Sequence, residues 1–431
     1  MATGIGKKIK YYRIKAKMTQ EELANGIVSV SYLSKIEHNT AAPNIEAVKL
    51  ICDKLQIKPV STDDEQILII CKRWFTELLY ERLATAHETF QQITEEFEKV
   101  IDSDLYCLVE LHTLQFYLLT NQIENAKIQY EKLEKYEHVL TDLELYYWNK
   151  FSGCFHINNS AYSLGLERFQ NAEKLIKSEI HNYQHELHDL YYRIAKVTTD
   201  LYFTYHAMTY ANKALEYYRN NYLLKNCAAC HILTGIGYQR MREIEKSMKS
   251  FQLAITIANE QDEQGLLAEC QHYLGVLYKR KLQPTQALNC FNQSYQFVKN
   301  TLSQEELVAT ISLMKEYVDQ NDLDQAIIWY KKAAIIAKKM RPDKSFLVYE
   351  IKVYKYLIYG FTPSFETLMQ KEVLPFLKER ELYIEYGLYL KKMGEYYYKE
   401  RKYKIAADYF EEAFQSVDQI RRKDSNSLLL K

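Results

Sequence analysis

Residues 19–39, TQEELANGIVSVSYLSKIEHN, set hydroxyl, amide and ammonium groups on two short helical stretches near the front of a chain that holds 38 Tyr. Amide and hydroxyl donors at a helix start suit phosphate oxygens, a lysine can donate to guanine, and a Val or Tyr surface can cover a thymine methyl. This is the chemistry of binding a polyanion. No glycine-rich phosphate loop, Ser-His-Asp set or paired-carboxylate cleft accompanies it, so no enzyme and no cofactor is expected. Cys227-x-x-Cys230 in NCAACH lies on a helical repeat and not after a strand, which argues against a redox pair. His181, His185 and His188 in HNYQHELHD have helical metal-ligand spacing, but no second cluster completes a site, so no metal is expected.

The elements that must hold residues 19–39 can be read from periodicity. A first helix runs over about 5–16, with Ile5, Ile9, Tyr12 and Ala16 on one face and Lys8, Arg13 and Lys15 off it. Thr19-x-x-Glu22 is a capping box that opens a second helix, which Gly26 ends after barely two turns. A third, over about 30–38, turns Leu33 and Ile36 inward and leaves Val30, Ser31, Tyr32, Ser34 and Lys35 outward, with Asn39 as its stop. Pro43 and Asn44 start a fourth, whose Ile45, Val48, Leu50 or Ile51, and Leu55 close a small core. Leu23, Leu33 and Ile36 belong to that core.

Two short helices joined by a tight turn, the second with small polar residues outward, form the arrangement that lays one helix in a DNA major groove. Residues 4–58 resemble the repressor-type helix-turn-helix of the Xre and Cro family, through TQEELA, then SYLSKIE, then a proline before a last helix. The resemblance implies that Gln20 holds a phosphate and that Val30, Ser31, Tyr32 and Lys35 meet base edges. Ser34, Asn39, Lys15 and Lys17 are the next phosphate candidates. Plain capping is the alternative for Ser31 and Ser34.

Charge agrees. Residues 1–60 hold ten Lys or Arg against five acids, so this segment carries +5 and the remainder of a neutral chain carries −5. A basic head on a mildly acidic body points to a polyanion for the head, a solvated lysine face being the alternative.

From residue 63 onward one pattern returns about every forty residues: a small residue, an aromatic three later, then a second helix with Ala, an aromatic and Ala. The clearest copy has Leu274, Gly275, Tyr278, Ala287, Phe291 and Ser294. Others have Gly235, Tyr238, Ser247, Phe251 and Ala254, or Gly394, Tyr397, Ala406, Phe410 and Ala413. This is the tetratricopeptide pattern. About nine repeats are expected, one of them poorly matched near residues 346–376, stacking into a right-handed all-α solenoid with an inner groove. The expected domains are 1–60, a DNA-binding head, and 61–431, a repeat domain for peptide binding and dimerisation, with IKPVSTDDEQ as linker and Thr62 or Asp63 capping the first repeat helix.

First-helix positions of the middle repeats would line the groove: Asn149, Lys150, Asn158, Asp189, Tyr192, Lys196, Asp200, Gln239, Arg240, His272, Lys279 and Lys315. Amides, both charge signs and aromatics suit an extended peptide, whose backbone needs donors and acceptors. The alternative for each is solvated surface.

With 12 Gly and 6 Pro in 431 residues, the chain is too poor in breakers for a sheet protein. No run reaches the roughly 18 apolar residues of a membrane span, MATGIGKKIK is no signal peptide, and eight scattered cysteines are no disulfide framework. A soluble cytoplasmic protein is expected.

A repressor-type head on about nine long repeats resembles the peptide-pheromone receptors of Gram-positive bacteria, the family that includes Rap, NprR, PrgX and PlcR. The resemblance implies a quorum-sensing transcription regulator, with double-stranded operator DNA on the head, an imported oligopeptide in the groove, and a homodimer or higher homo-oligomer. The alternative it implies is a Rap-like protein that binds a response regulator of the sporulation phosphorelay and inhibits or dephosphorylates it. That would need a glutamine to position water, and none stands out in this chain.

Overall fold

The computed structural model describes residues 5–37, 44–57, 65–101, 103, 105–340 and 345–429, and every regular element among them is helical. The chain forms two compact units, Met1–Phe155 with Asn171–Tyr183, and His156–Gln170 with Gln184–Lys431. Asn39, and the linker with Thr62 and Asp63, lie outside the described residues.

The head opens the first unit with α1 (Ile5–Lys15), α2 (Gln20–Ala24), α3 (Val30–Glu37) and α4 (Ile45–Leu55). Thr19 Oγ1 accepts from the Glu22 backbone N–H while Glu22 reaches back to the Thr19 N–H, which is the capping box expected. Gly26 turns the chain after α2 at φ 80°, a conformation that glycine adopts without a Cβ clash. Ile9, Leu23, Leu33, Ile36 and Ile51 meet in a closed core.

Three expectations for the head need correction. Ile45 is 85% exposed, because Asn44 caps α4 and sets Val48, Ile51 and Cys52 inward; of Leu50 and Ile51 it is Ile51 that is buried, Leu50 being 53% exposed. Ala16 falls beyond α1 and is exposed. Arg13, expected off the apolar face, is buried, because Glu37 at the end of α3 is buried with it and accepts from both Nε and Nη2, at 2.6 and 2.9 Å.

Nine helix pairs follow among the described residues: 65–79 with 83–95, 106–119 with 123–134, 142–158 with 162–175, 183–200 with 204–220, 224–240 with 244–260, 264–280 with 284–298, 304–319 with 323–340, 346–359 with 363–379, and 383–399 with 403–429. This agrees with the count read from the period. The eighth pair, the poorly matched one, differs because its second arm carries a π-helical turn at Met369–Val373.

Turns in the regular middle of the array are built almost without glycine. Tyr202, Tyr222, Arg242, Asp262 and Leu282, twenty residues apart, each take a left-handed conformation with φ between 54° and 64°. The following N–H reaches back over the helix end, as from Phe203 to Thr198 at 2.8 Å and from Glu243 to Tyr238 at 2.9 Å. Such Schellman closures satisfy carbonyls that a helix end would leave unpaired. Repetition of the turn fixes the forty-residue period.

Glycine is kept for helix crossings. A Cβ on Gly235, Gly275 or Gly394 would stand 2.6, 2.5 or 2.5 Å from the ring of Phe251, Phe291 or Phe410, sixteen residues on in each case. The ring of the second helix therefore lies directly on the backbone of the first. Phe251 and Phe291 are buried there, each contributing about 1.5–3 kcal/mol. Gly275→Val should destabilise the array by about 1–3 kcal/mol through overpacking. Thermal unfolding of Gly275→Val and of Gly275→Val with Phe291→Leu checks this, since the smaller partner should restore part of the loss.

Candidate DNA-binding face and inward polar cluster

On α3, Leu33 and Ile36 are held in the head core, so Val30, Ser31 and Lys35 stand outward and exposed. The hydroxyl that caps α3 is that of Ser29, which accepts from the Tyr32 N–H at 3.2 Å. Tyr32 is half-buried against the core, and its hydroxyl accepts from the Asn44 N–H at 3.0 Å. It thus ties the start of α4 to α3 as well as standing on the outer side. Ser34 is half-buried, whereas Lys15 and Lys17 are exposed at the end of α1, the Lys15 ammonium 5.6 Å from the Tyr12 ring.

Gln20 stands at the first turn of α2, but its carboxamide nitrogen donates to Glu37 Oε2 at 2.7 Å. Glu37 therefore orients three donors at once: Arg13 Nε, Arg13 Nη2 and Gln20 Nε2. The pair locks α1 to α3 and sets the position of Gln20 at the helix start. Sequence reasoning missed this network, although Glu37 follows Leu33 and Ile36 at helical core spacing and was the signal available. Nearby, Lys10 is buried and its Nζ lies 2.9 Å from Nε2 of His138, between the second and third repeats. Burial lowers the Lys10 pKa, Glu37 opposing and Arg13 adding to the shift. Glu37→Ala leaves the Arg13 charge buried without its partner and should destabilise the head by about 3–5 kcal/mol. Hydrogen exchange of the α3 amides measures the change.

The expected peptide-facing residues divide between the units. Asn149 and Lys150 are in the first unit and are buried, the Asn149 carboxamide donating to Leu145 O at 2.8 Å, so neither presents an open polar surface. The other ten lie in the second unit. Asn158 is exposed at the end of its helix and Lys196 is exposed, while Tyr192 is half-buried. Asp189 is buried and accepts from Arg193 Nε at 2.8 Å. Gln239 is buried, and its Nε2 has no hydrogen-bond acceptor among the described residues.

Four of the cationic or imidazole groups tie one repeat to another. Arg240 Nη1 donates to Thr199 O at 2.6 Å, with the guanidinium 4.0 Å from the Tyr202 ring. Lys279 pairs with Glu316 at 2.9 Å and with Asp319. Lys315 pairs with Glu350 at 2.7 Å and lies 5.8 Å from the Tyr354 ring. His272 Nδ1 is 3.1 Å from Ser312 Oγ. Burial, with Lys315 adding to it, pushes the His272 pKa down to about 4, so its imidazole is neutral at ordinary pH.

Carboxylates from distant repeats gather beside these cations. Burial raises Asp200 to about 6, with Lys196 and Arg240 opposing and Glu269 adding to the rise. Burial likewise raises Glu385 to about 7, with Glu350 and Asp200 adding to it. Glu385 starts from the ninth pair, and the same end of the unit is fastened by Ser163, whose Oγ donates to Glu381 Oε2 at 2.5 Å. Tyr162 packs against the core of the last two repeats. Sequence reasoning missed Glu385, Glu269, Tyr202 and Tyr162, because a repeat period predicts contacts only between neighbours.

The triple-histidine motif is absorbed by packing: His185 is buried and His188 stacks on Tyr217 at 4.2 Å. Cys227 and Cys230 are buried thiols whose pKa burial raises, the opposite of a reactive pair. Among the described residues, no helix is long and apolar enough to cross a membrane.

The two raised carboxylates set the sign of a pH effect. Folded Asp200 and Glu385 keep protons that the unfolded chain releases near its ordinary carboxylate range, so their contribution is full at about pH 4 and is lost as pH rises through 6 and 7. Lys196, Arg240, Glu269 and Glu350 face the two groups in this range. The unfolding midpoint of the full chain should therefore fall between about pH 4 and 7 as a consequence of ~2 ionisations and level off above that range. Glu385→Gln, neutral throughout, should lose much of that slope in calorimetric scans.

Comparison with known proteins places these features. The helix-turn-helix family matches residues 9–61. Along 400 residues the chain is 28% identical to the transcriptional activator NprA of Geobacillus stearothermophilus, covering 91% of this chain and 98% of that one. It is 23% identical to response regulator aspartate phosphatase A of Bacillus subtilis (strain 168), over 81% of this chain and 94% of the relative. Among solved structures, a Rap protein complexed with competence and sporulation factor superposes with a TM-score of 0.73 at 17% identity, covering 83% of this chain and 99% of the other. NprR in complex with its cognate peptide NprX gives 0.67 at 18%, covering 81% and 99%.

Proposed function

We propose that the chain, a helix-turn-helix head on repeats similar to those of Rap and NprR proteins, is a peptide-pheromone-responsive regulator that binds operator DNA under the control of an oligopeptide. The observation that carries this reading is the division of labour in the molecule. Val30, Ser31 and Lys35 stand exposed on α3 of a head whose core is closed beneath them. The second unit turns both charge signs and aromatic rings toward one another instead.

In the head, Lys35 and Ser31 supply donors to base edges and Val30 an apolar contact, while Tyr32 has two tasks. Its ring contributes to the face that meets DNA, and its hydroxyl holds the start of α4. Lys15, Lys17, Ser34 and Asn39 serve phosphates, and Gln20 does so from a position set by Glu37. A sequence-reading face of this size covers about half an operator, so two chains act together as a homodimer.

Peptide control follows from the ties between repeats. Arg240, Lys279 and Lys315 each hold a group one repeat away, so a guest that competes for Asp200, Glu350 or these cations changes how adjoining repeats are held. Such a guest acts only through unequal affinity for two arrangements of the array. A second reading, binding of a response regulator, draws support from the likeness to aspartate phosphatase A.

Tyr32→Ala with Lys35→Ala should lower operator affinity by at least about 30-fold, two base-contacting side chains being worth about 1–3 kcal/mol each, with peptide affinity unchanged. Tyr32→Phe, which keeps the ring and loses the tie to Asn44, should lie between this variant and the natural chain. Footprinting with and without peptide, over a series of salt concentrations, measures both. A natural chain that protects no DNA yet removes phosphate from a response regulator would favour the second reading.

A further inference from the structure

One stretch of the outer surface breaks a rule that the other regular repeats of the second unit keep. Aligned on the small residue at the helix crossing, Ala207, Ser247, Ala287, Ala326 and Ala406, each second helix has an exposed residue two positions on and another nine positions on. In the fourth, fifth, sixth and ninth pairs these are Thr209 and Glu216, Lys249 and Thr256, Asn289 and Gln296, and Asp408 and Gln415. All are polar, as the solvent side of an amphipathic helix should be. In the seventh pair, on the helix Leu323–Met340, they are Ile328 and Ile335, exposed by 45% and 56%. Neither belongs to the core that this helix builds through Ala326, Trp329, Ala333 and Ile336. A single exposed isoleucine, such as Ile128 in the second pair, is ordinary; two in register one heptad apart are not.

The charge around them has one sign. Lys331 and Lys338 each follow an isoleucine by three positions, so Ile328, Lys331, Ile335 and Lys338 form one stripe at the spacing of side chains that share a helix face, with Lys339 beside it. Lys331, Lys338 and Lys339 are exposed, and among the described residues none of them pairs with a carboxylate. Lys332 is held instead over the Trp329 ring, 4.0 Å from its centroid. Asp324, in the first turn, is the one acid on this helix. The preceding second helix, Pro284–Val298, has no charged residue and so supplies no counter-charge.

We infer that this stripe docks an amphipathic helix of another protein, one that presents apolar residues seven apart with an acidic residue in each interval. The isoleucines seat the apolar residues, and the lysines on the same face select carboxylates and reject cations. The same face of a second copy does not fit, because it would set lysine against lysine. A nucleic acid would use the lysines and leave the two isoleucines without a role. The stripe is about three helical turns long, which places the contact at the low end of interface sizes and suits a transient partner. None of its residues belongs to α3 or to the inward cluster, so the inference stands apart from operator and peptide binding.

Fluorescence anisotropy with the full chain tests it, using a labelled peptide of three heptads, each reading Leu-Ala-Ala-Glu-Glu-Ala-Gln, and the same peptide with Lys in place of Glu. The acidic peptide should bind with a micromolar dissociation constant and the basic one should not. Ile328→Ser with Ile335→Ser should raise that constant by about tenfold or more, as for residues at the centre of an interface. Lys331→Glu with Lys338→Glu should lose the acidic peptide and gain the basic one, which a folding defect would not do. A natural chain that fails to bind the acidic peptide overturns the inference, and so does binding indifferent to both double changes. It is overturned equally if the isoleucine changes split the chain into smaller species in sedimentation, which would assign the face to a second copy. Retention of a random-sequence duplex or of phosphatidylglycerol vesicles that needs the lysines but not the isoleucines would overturn it in favour of a polyanion.

Discussion

The repeat body depends on how closely two helices of a pair can approach. Where Gly235, Gly275 and Gly394 face Phe251, Phe291 and Phe410, the ring rests on backbone, with no room for even one added carbon. That contact sets the distance within a pair, and the left-handed turn residues set where each pair ends. Distance and length together fix where the next pair must lie. The side chains on the first helices therefore come into register at intervals of forty residues, which is why Arg240 reaches Thr199, Arg280 reaches Gln239 and Lys279 reaches Asp319 across similar spans.

Much of this was legible in the sequence for a physical reason. A repeat writes its packing rule many times, so the small residue and the aromatic can be recognised even when single copies are loose. The capping box at Thr19 and the core residues Leu23, Leu33 and Ile36 were legible because caps and helical periodicity are local. What stayed hidden involves single, distant encounters. Nothing in the stretch around Ser163 announces Glu381, and nothing around Asp200 announces Glu385, since each meeting depends on the accumulated turn of five or six helix pairs. Arg13 was misplaced for a related reason: its charge suggested solvent, whereas a buried Glu37 from another helix made the interior the better place.

The candidate site residues teach the same lesson in finer detail. Lysines and arginines chosen as ligands for a guest already hold neighbours, and burial costs are met by those pairings. Asn149 was read as groove surface because an amide on a first helix is polar, but its carboxamide returns to its own helix and lies under other side chains. Position in a repeat predicts which face a residue occupies. It does not predict whether that face is open, because openness depends on the bulk of residues in the adjoining pairs.

Head and array differ in how they are held, and the difference bears on regulation. The head is fastened by a buried charged knot, in which Glu37 of α3 serves Arg13 of α1 and Gln20 of α2 together, while Tyr32 holds the start of α4. The array is fastened by many separate ties, each joining two repeats and each open to competition by another charged group. A guest that replaces one tie alters the angle at one boundary only, yet in a stack every later repeat inherits that change. On the proposed reading, a guest that exchanges one such ion pair would change how the later repeats are held without any rearrangement inside the head itself.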